Sequence, residues 1–228
     1  MCGRFTLRTA PREVAELFAI DELPLFAPRY NIAPSQQVLA VGLRDDGRRE
    51  FRQFAWGFIP SWSKDPQSGH RPINIRSETV LEKPMFRSAF RKRRCLIPAD
   101  GFFEWQAVGR AKQPYYFQRP DGGPFAFAGV WETWRGGAEP LESCALFTTS
   151  ANATVAPLHD RMPVILAPAD FASWLDPTNE DPASLVPLLR PLPPDQLVAR
   201  PVSTTVNSPR HDSPECIIPL ESPGKLFD

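Results

Sequence analysis

Short runs of apolar, β-branched and aromatic residues, separated by turn-forming residues, recur along most of the chain and limit the folds open to it. They predict strands at residues 37–44, 49–58, 95–98, 102–107, 114–118, 124–132, 144–149 and 162–167, with a late candidate at 199–206. Helical periodicity is confined to short segments at residues 11–19, 84–93, 168–175 and 182–190. Because strands rarely alternate with long helices, a doubly wound parallel sheet is disfavoured. We predict a single α+β domain with a mixed, mostly antiparallel sheet and short peripheral helices.

The connecting segments show no second domain. Residues 21–36 are rich in Pro and are predicted to be a loop, and residues 60–75 are predicted to be a long connection. The 27 prolines are spread along the chain rather than gathered into one linker. We therefore expect one domain over residues 1–219, followed by a C-terminal tail at 220–228.

Cysteine and histidine usage argues against a metal centre and against a disulfide scaffold. The four cysteines form no C-x-x-C pair, and the three histidines lie far apart in the sequence. We expect no metal and no cofactor. No apolar run approaches the ~20 residues that span a bilayer, and the start of the chain does not resemble a secretory signal. We expect a cytoplasmic protein with no membrane contact, in which thiols stay reduced.

The formal net charge is zero, yet the charge is unevenly distributed. Residues 1–119 contain 20 Lys and Arg against 12 Asp and Glu, whereas residues 120–228 contain 6 against 14. The basic half includes a cluster of five cations: Arg87, Arg91, Lys92, Arg93 and Arg94. Such a cluster can neutralise phosphates and release counterions. It is equally typical of a solvated helix face, and the sequence leaves both interpretations open.

Cys2 follows the initiator Met1 and gives the strongest chemical indication in the chain. Met aminopeptidases remove Met before a small residue, which would leave Cys at the amino terminus. A terminal cysteine carries an α-amine with a pKa near ~7.7–8.0 and a thiol with a pKa near ~8.5 on adjacent carbons. The amine can form a Schiff base with an aldehyde, and the thiol can then close a five-membered thiazolidine ring. The alternative is that Cys2 lies in an unprocessed or frayed terminus and has no function.

Two titratable residues are candidates for proton transfer. Glu104 lies in the aromatic run Gly101–Trp105, where burial would raise its pKa towards neutrality. Strand alternation offers the other interpretation, with Glu104 facing solvent opposite its aromatic neighbours. His159 lies in a predicted strand-entry loop between Leu158 and Asp160 and is either a general acid/base or a loop histidine satisfied by local hydrogen bonds.

Other polar and aromatic residues carry less information by themselves. The amides of Asn31 and Asn74 and the guanidinium of Arg76 lie in predicted loops, where such groups usually close turns. Three tryptophans in the basic half could stack on nucleic-acid bases or pack in the core: Trp56, Trp62 and Trp105. The chain lacks the P-loop, dinucleotide-binding, nucleophile-elbow and H-E-x-x-H signatures.

Seven segments, in chain order, together resemble the SRAP (SOS response-associated peptidase) family, whose members crosslink to abasic sites in DNA. They are MCGRF, RYNIAPSQ, WGFIPSW, INIRSET, RRCLIPADGFFEW, TTSAN and LHDRMPVIL. The resemblance spans residues 2–167 and continues weakly through PVSTTVN at 201–207. It implies the SRAP fold, with a barrel-like core.

The resemblance also implies residue roles. The catalytic residues of the family correspond to Cys2, Asn74, Glu104 and His159. Its DNA-contacting residues correspond to Arg4, Asn31, Pro34, Trp62, Arg76, Thr148 and Arg161. The implied partner is single-stranded DNA containing abasic sites, bound by a monomer that associates with the nucleoid when it holds DNA.

The implied chemistry is a thiazolidine crosslink between Cys2 and the ring-opened aldehyde of an abasic site, with a lyase-type side reaction. Met1 would be removed either autoproteolytically or by Met aminopeptidase, and the sequence does not decide between them. Two other functions stay open. One is an N-terminal-nucleophile amidohydrolase in which Cys2 attacks an amide, and the other is a DNA-binding module that does not need Cys2.

Overall fold

The computed structural model describes residues 2–66 and 71–220, which form thirteen strands and four α-helices. The helices are α1 (Pro11–Phe18), α2 (Pro84–Lys92), α3 (Phe171–Leu175) and α4 (Pro182–Leu185). The strands are β1 (Phe5–Leu7), β2 (Arg29–Ile32), β3 (Gln37–Leu43), β4 (Arg49–Trp56), β5 (Asn74–Arg76), β6 (Arg94–Ala99), β7 (Gly101–Val108), β8 (Ala111–Gln118), β9 (Phe125–Trp134), β10 (Leu141–Ser150), β11 (Arg161–Pro163), β12 (Ile165–Leu166) and β13 (Val198–Pro201).

Five strands close into a barrel in the order β10, β4, β3, β6 and β9, and β9 pairs back onto β10. The pairs β10–β4 and β10–β5 are parallel. The other strand pairs of this sheet are antiparallel. Closure of the barrel pairs the strand edges that an open sheet would leave exposed. The short strands β5 and β11 pair with β10, and β12 pairs with β9. The predicted α+β class with a mostly antiparallel, barrel-like core is confirmed.

A second sheet packs against the barrel in the order β13, β8, β7, β1 and β2. The short strand β1 is therefore interior, since it pairs with β7 on one side and β2 on the other. Phe5 of β1 is buried and makes edge-to-face contacts with Trp56 at 5.2 Å and Phe127 at 5.6 Å. These contacts fix the start of the chain against the barrel core, where aromatic pairs add about 0.5–1.5 kcal/mol each.

The structure corrects the loops predicted at the start of the chain. Residues 21–36 are not loop throughout, because Arg29–Ile32 forms β2. The connection predicted at 60–75 ends in β5, which begins at Asn74. Strand β1 was not predicted at all. Segments of three or four residues carry too little alternation to be recognised, and distant partners supply their pairing.

Two strand boundaries also differ from prediction. The strand predicted at 162–167 is divided, because β11 pairs with β10 whereas β12 pairs with β9. The late strand predicted at 199–206 ends at Pro201, and Thr204–Asn207 forms a 3-10 helix.

The helices and the terminus follow the sequence pattern more closely. Helix α1 begins at Pro11 as predicted and ends before Ala19, which adopts φ 51°. Residues 221–228 of the predicted tail lie outside the described residues, and the backbone N–H of Leu220 donates to the carbonyl of Pro201 at 3.0 Å. None of the helices found in the described residues is long and apolar enough to cross a membrane. No metal-ligating cluster was found in residues 2–66 and 71–220.

Candidate active site and nucleic-acid interface

Cys2 is fully buried and lies three residues before the start of β1. The backbone N–H of Phe103 donates to the carbonyl of Arg4 at 3.1 Å, which extends the β1–β7 pairing towards the chain start. Continuing the antiparallel register of Phe5 with Phe102 places Gly3 opposite Glu104. The sheet therefore brings Cys2 alongside the predicted carboxyl on the neighbouring strand.

Asn74, which lies on a different strand from Glu104, binds the backbone of Cys2. It begins β5, which runs parallel to β10 with Asn74 opposite Leu146. Its Nδ2 donates to the carbonyl of Cys2 at 2.8 Å. Its Oδ1 is buried and has no hydrogen-bond partner among the described residues. A buried acceptor of this kind is costly to leave unpaired, so the geometry suits a donor supplied by a ligand.

Glu104 is buried, with 3% of its surface exposed, so the solvent-facing interpretation is wrong. Burial raises the pKa of Glu104 to about 7, and the positive charge of the amino terminus acts against this shift. The exposed carboxylate of Asp160 raises the pKa further. A carboxyl with a pKa near neutrality can both take up and release a proton at physiological pH.

The thiol of Cys2 is held in its neutral form. Burial raises the pKa of Cys2 well above that of an exposed thiol, and the negative charge of Glu104 adds to the rise. The Sγ atom lies 3.8 Å from the carbonyl oxygen of Arg4. Cys2 is therefore not poised as a thiolate, unlike the activated cysteines of thiol hydrolases.

His159 lies at the end of a loop that is stabilised by hydrogen bonds within the loop. Buried Asn152 accepts from the N–H groups of Thr154 and Val155 at 3.1 Å each, and the N–H of His159 donates to the carbonyl of Val155 at 3.1 Å. These bonds explain the Asn of the TTSAN segment, which shapes the loop from within.

The Nδ1 atom of His159 has two neighbours of opposite character. The backbone N–H of Arg161 donates to it at 2.9 Å, and Oδ1 of Asp160 lies 2.9 Å away. Burial lowers the pKa of His159, the charge of the amino terminus lowers it further, and Asp160 raises it. The neutral ring therefore accepts at Nδ1 and carries its proton on Nε2, whereas the protonated ring can donate to Asp160.

The four residues predicted to be catalytic thus lie in one interacting cluster. Asn74 contacts Cys2 directly, Glu104 acts electrostatically on Cys2 and on Asp160, and Asp160 contacts His159. The cluster draws on the chain start, β5, β7 and the loop before β11. Asp160 was not predicted as a member, although His159 and Asp160 are adjacent titratable residues in the sequence.

Four of the predicted DNA-binding residues are at least partly accessible. Arg76 is exposed, 69% of the surface of Trp62 is exposed, and Pro34 and Arg4 are half-buried. The guanidinium of Arg4 donates to Oδ1 of Asn31 at 3.0 Å and to the carbonyl of Val206 at 2.9 Å. Arg4 is therefore held in a fixed position beside Cys2.

The other three predicted DNA-binding residues have protein partners. The amide of buried Asn31 donates to the carbonyl of His211 at 2.7 Å and to those of Val206 and Ser208. Thr148 is buried and its hydroxyl donates to the carbonyl of Ile75 at 3.3 Å. Arg161 forms a bidentate pair with Glu78 at 2.6 and 2.8 Å. In this arrangement these three side chains bind other parts of the protein, and their contact with DNA stays a prediction.

Comparison with known proteins settles the family. The profile of the SOS response associated peptidase (SRAP) family matches residues 1–209. The chain belongs to the SRAP family. Among curated relatives, it is 42% identical over 222 residues to abasic site processing protein YoqW of Bacillus subtilis (strain 168), covering 95% of this chain and 99% of that protein. It is 31% identical to abasic site processing protein YedK of Escherichia coli (strain K12), covering 96% and 100%.

A vertebrate relative and a solved structure extend the match. The SRAP chain is 32% identical to abasic site processing protein HMCES of Gallus gallus, covering 86% of this chain and 67% of that protein. A crystal structure of a protein from Bacteroides thetaiotaomicron superposes with a TM-score of 0.85 at 25% identity, covering 96% of this chain and 100% of that chain.

Three of the five cations in the basic cluster of this SRAP chain bind carbonyl or carboxylate groups of the protein itself. Buried Arg94 donates to the carbonyls of Phe90, Arg91, Trp174, Asp176 and Asn179. Arg93 pairs with Glu132 at 2.6 Å and Lys92 with Glu180 at 3.3 Å. Arg87 and Arg91 remain exposed. The phosphate-binding interpretation therefore does not apply to the cluster as a whole.

Two grooves are lined in part by residues next to Cys2, namely Gly3 in one and Asn74 in the other, and neither has a carboxylate among its lining residues. The hairpin groove, of about 620 Å³, is lined by Gly3, Arg4, Pro34, Trp105, Arg110, Lys112 and Asn207. The Asn74 groove, of about 480 Å³, is lined by Pro72, Asn74, Ile75, Arg76, Thr79, Lys83, Pro84, Met85 and Phe86. Both grooves thus combine cations with apolar surface directly beside the cluster.

Proposed function

We propose that this protein processes abasic sites in single-stranded DNA, as the names of its relatives state for them, by forming a covalent thiazolidine with Cys2. The observation that carries the proposal is the position of Cys2. Its carbonyl is bound by Asn74 at 2.8 Å, and it lies beside a buried Glu104 whose pKa is about 7. In the mature chain, with Met1 removed, that position presents an α-amine to a proton-exchanging carboxyl.

The amine acts first. An abasic sugar in its ring-opened form has an aldehyde at C1′, and the Cys2 nitrogen adds to that carbon to give a carbinolamine. Loss of the hydroxyl as water gives an imine. This step does not require a thiolate, which agrees with the burial that keeps the Cys2 thiol neutral.

Ring closure follows at the same carbon. The sulfur of Cys2 bonds to the imine carbon, the thiol proton leaves the sulfur, and the nitrogen gains a proton. The product is a five-membered thiazolidine, and one water is released overall. Glu104 is placed to accept a proton from the α-ammonium before attack and to return one to the nitrogen at closure.

His159 serves the sugar oxygen. When its ring is protonated at both nitrogens, it can donate the Nε2 proton to the sugar oxygen as the sugar opens, which leaves a neutral ring with its proton on Nδ1 and Nε2 free to act as a base. Once protonated, the ring gains Asp160 as a partner for Nδ1. The same group can remove the C2′ proton from the imine, which gives the strand-cleaving lyase reaction as a side path.

DNA binding rests on the surface beside Cys2 rather than on net charge. Arg4 and Arg76 lie in the two grooves that adjoin the cluster, and exposed Trp62 offers a face for an unstacked base. The unpartnered Oδ1 of Asn74 can accept a hydroxyl of the opened sugar. We propose that a monomer binds the strand, since the cluster is built from one chain.

A denaturing gel tests the proposal. The mature protein incubated with single-stranded DNA containing one abasic site should give a band that survives heat and detergent. Cys2→Ala should abolish that band, and one residue added ahead of Cys2 should do the same because it converts the amine into an amide. Cys144→Ala, which alters another buried thiol, is the matched control and should crosslink normally.

The alternatives predict different outcomes. An amidohydrolase would give no band with abasic DNA and would release ammonia from amide substrates. A plain DNA-binding module would give no covalent band, and its affinity for DNA would survive Cys2→Ala. A covalent band with the extended chain would refute the role of the amine.

Intact mass separates the two routes to the mature terminus. If Met1 is removed autoproteolytically, Glu104→Gln and His159→Ala should retain Met1 while the wild type loses it. If Met aminopeptidase removes it, all three proteins should lose Met1 equally.

A further inference from the structure

The hairpin groove has a cationic lining. Its lining includes the cations Arg4, Arg110 and Lys112 and no described carboxylate. By contrast, a groove of about 690 Å³ near α3 contains both Asp45 and Asp176. In a chain of zero net charge, a concave surface with three cations and no carboxylate favours an anionic ligand.

Two of these cations lie on a projecting element. Strands β7 and β8 pair as far as Val108 and Ala111, and Gly109, with φ 59°, turns the chain between them. Arg110 and Lys112 are exposed near this turn. Neither forms an ion pair with any residue in the described ranges, so their charge is available to a ligand.

The hairpin is tied to the rest of the groove. Nε1 of Trp105 donates to Oδ1 of Asn207 at 2.7 Å, and Nδ2 of Asn207 donates to the carbonyl of Lys112 at 3.4 Å. The guanidinium of Arg4 lies 5.9 Å from the centre of the Trp105 ring. These contacts connect the backbone of Lys112, through Asn207 and Trp105, to Arg4, which is two residues from Cys2.

We propose that the β7–β8 hairpin is a phosphate-binding arm, through Arg110 and Lys112, that holds the DNA strand on one side of the lesion. The inference rests on the proposed function for the nature of the ligand. The strand leaves Cys2 past Arg4 and follows the hairpin groove, where the arm binds the phosphates of the outgoing nucleotides. The Asn74 groove, with Lys83 at its edge, holds the strand on the opposite side of Cys2.

The salt dependence of binding is the first test. The probe is single-stranded DNA carrying a tetrahydrofuran in place of the abasic sugar, which has no aldehyde and reports binding alone. Arg110→Gln with Lys112→Gln should weaken binding and reduce the slope of log K against log salt by about 1.4, since each phosphate contact to a single strand contributes about 0.7. A merely structural role of the hairpin would weaken binding without this change in slope.

A charge-matched control excludes a general effect of net charge. Arg12→Gln with Arg48→Gln also removes two exposed cations, from residues that line neither groove. It should leave the slope within error of the wild type. An equal loss of slope in both double variants would overturn the proposal.

Truncated strands supply the second test. Probes that lack the nucleotides on the 5′ side or on the 3′ side of the tetrahydrofuran are compared for both proteins. The Arg110/Lys112 variant should match the wild type on one of the two truncated probes and differ on the other. Lys83→Gln should show the opposite preference. A variant that loses the same factor on both probes would show that the arm does not follow one side of the strand.

Crosslinking separates failure of the arm from failure of the proposed chemistry. At saturating abasic DNA, the Arg110/Lys112 variant should form the covalent band at the wild-type rate, because its loss lies in binding. One outcome is that the wild type shows a steeper slope of log K against log salt than the variant but forms no covalent band. That outcome would support the phosphate-binding arm and refute the crosslink. If the band forms but the slope of the variant is unchanged, the arm is refuted and the crosslink stands.

Discussion

Two carboxyl groups four residues apart, Asp100 and Glu104, are both buried at the β1–β7 junction and have opposite environments. Asp100 accepts from the hydroxyl of Thr6 at 2.5 Å, from the N–H of Arg8 at 2.5 Å, and from both the N–H and the hydroxyl of Thr9 at 2.7 and 2.8 Å. These donors stabilise a carboxylate. Glu104 lies at the other end of the junction, and burial raises its pKa to about 7.

The difference shows that burial alone does not make a carboxyl reactive. Several fixed donors surround the Asp100 carboxyl, and such hydrogen bonds offset the cost of burying a charge, whereas burial is the largest influence on the pKa of Glu104. Asp100 uses its charge to fasten the residues that follow β1, whereas Glu104 retains a proton that can be exchanged near Cys2. Asp100 therefore anchors the C-terminal end of β1, and Glu104 lies near Cys2 at its N-terminal end.

The largest effect on stability should come from Asp100→Ala. The substitution leaves the Thr9 hydroxyl and the backbone N–H groups of Arg8 and Thr9 without their acceptor, and each buried orphan costs about 1–3 kcal/mol. We expect the free energy of unfolding to fall by about 4 kcal/mol in urea denaturation at neutral pH. A loss below about 1 kcal/mol would remove the contrast between the two carboxyls.

Glu104→Gln should affect activity and pH dependence instead. The folded state holds the Glu104 proton up to about pH 7, whereas the unfolded state releases it near 4.5. The contribution of Glu104 to the free energy of unfolding of the wild type is therefore fully present below about pH 4.5 and is lost as the pH rises to about 7. The free energy of unfolding of the variant, relative to wild type, should rise by roughly 3 kcal/mol across that interval.

The same variant should form the covalent link about 100-fold more slowly, because a positioned acid/base contributes at least that much. Single-turnover crosslinking at saturating DNA measures this rate. If the stability of the variant relative to wild type falls rather than rises with pH, the assignment of the Glu104 proton is wrong.

Gly101 lies between the two carboxyls and permits their spacing. A Cβ at this position would come within 2.2 Å of the Tyr116 ring and hydroxyl, and that hydroxyl lies 2.9 Å from the Thr6 hydroxyl. Gly101→Ala should lower the free energy of unfolding by about 2 kcal/mol through overpacking. Gly47→Ala, which meets no atom within 4 Å but has φ 81°, is the control for loss of a glycine and should cost about 1 kcal/mol in thermal unfolding.

The smallest effect should come from Asp160→Asn. The Asp160 carboxylate raises the pKa values of both Glu104 and His159, so its removal lowers both. The pH profile of the crosslinking rate should move to slightly lower pH, and the shift stays small because 83% of the Asp160 side chain is exposed. Glu139→Gln, an exposed substitution on the β9–β10 connection, should leave the profile unchanged. A shift to higher pH would contradict the electrostatic assignment.

The sequence predicted the barrel strands well, because residues 37–44 and 49–58 alternate over enough length to be recognised. It could not decide the environment of Glu104. Phe102 packs in the main core and Phe103 in a second cluster, so both faces of β7 are covered there and alternation carries no information.

The role of Asp100 and the protein partners of the basic cluster were missed for other reasons. The dipeptide Asp100–Gly101 has the composition of a turn, and nothing local indicates that Thr6, ninety-four residues away, donates to it. Conversely, the run around Arg93 and Arg94 suggested a charged surface, but distant acceptors on β9 and α3 use those guanidiniums. Charge density is visible in a sequence, whereas the pairing of charges depends on tertiary contacts.

The interior place of β1 has a consequence for the nascent chain. Phe5 pairs with Ile32 and with Phe102, and a lone two-stranded pair with β2 is only marginally stable. The ribosome adds about 5–20 residues per second, so the roughly 100 residues that separate Phe5 from Phe102 take at least several seconds to make. During that interval the first residues stay reachable by an exopeptidase, and afterwards Cys2 is completely covered. The order of synthesis therefore gives an exopeptidase an interval in which the start of the chain does not yet have both of its neighbouring strands.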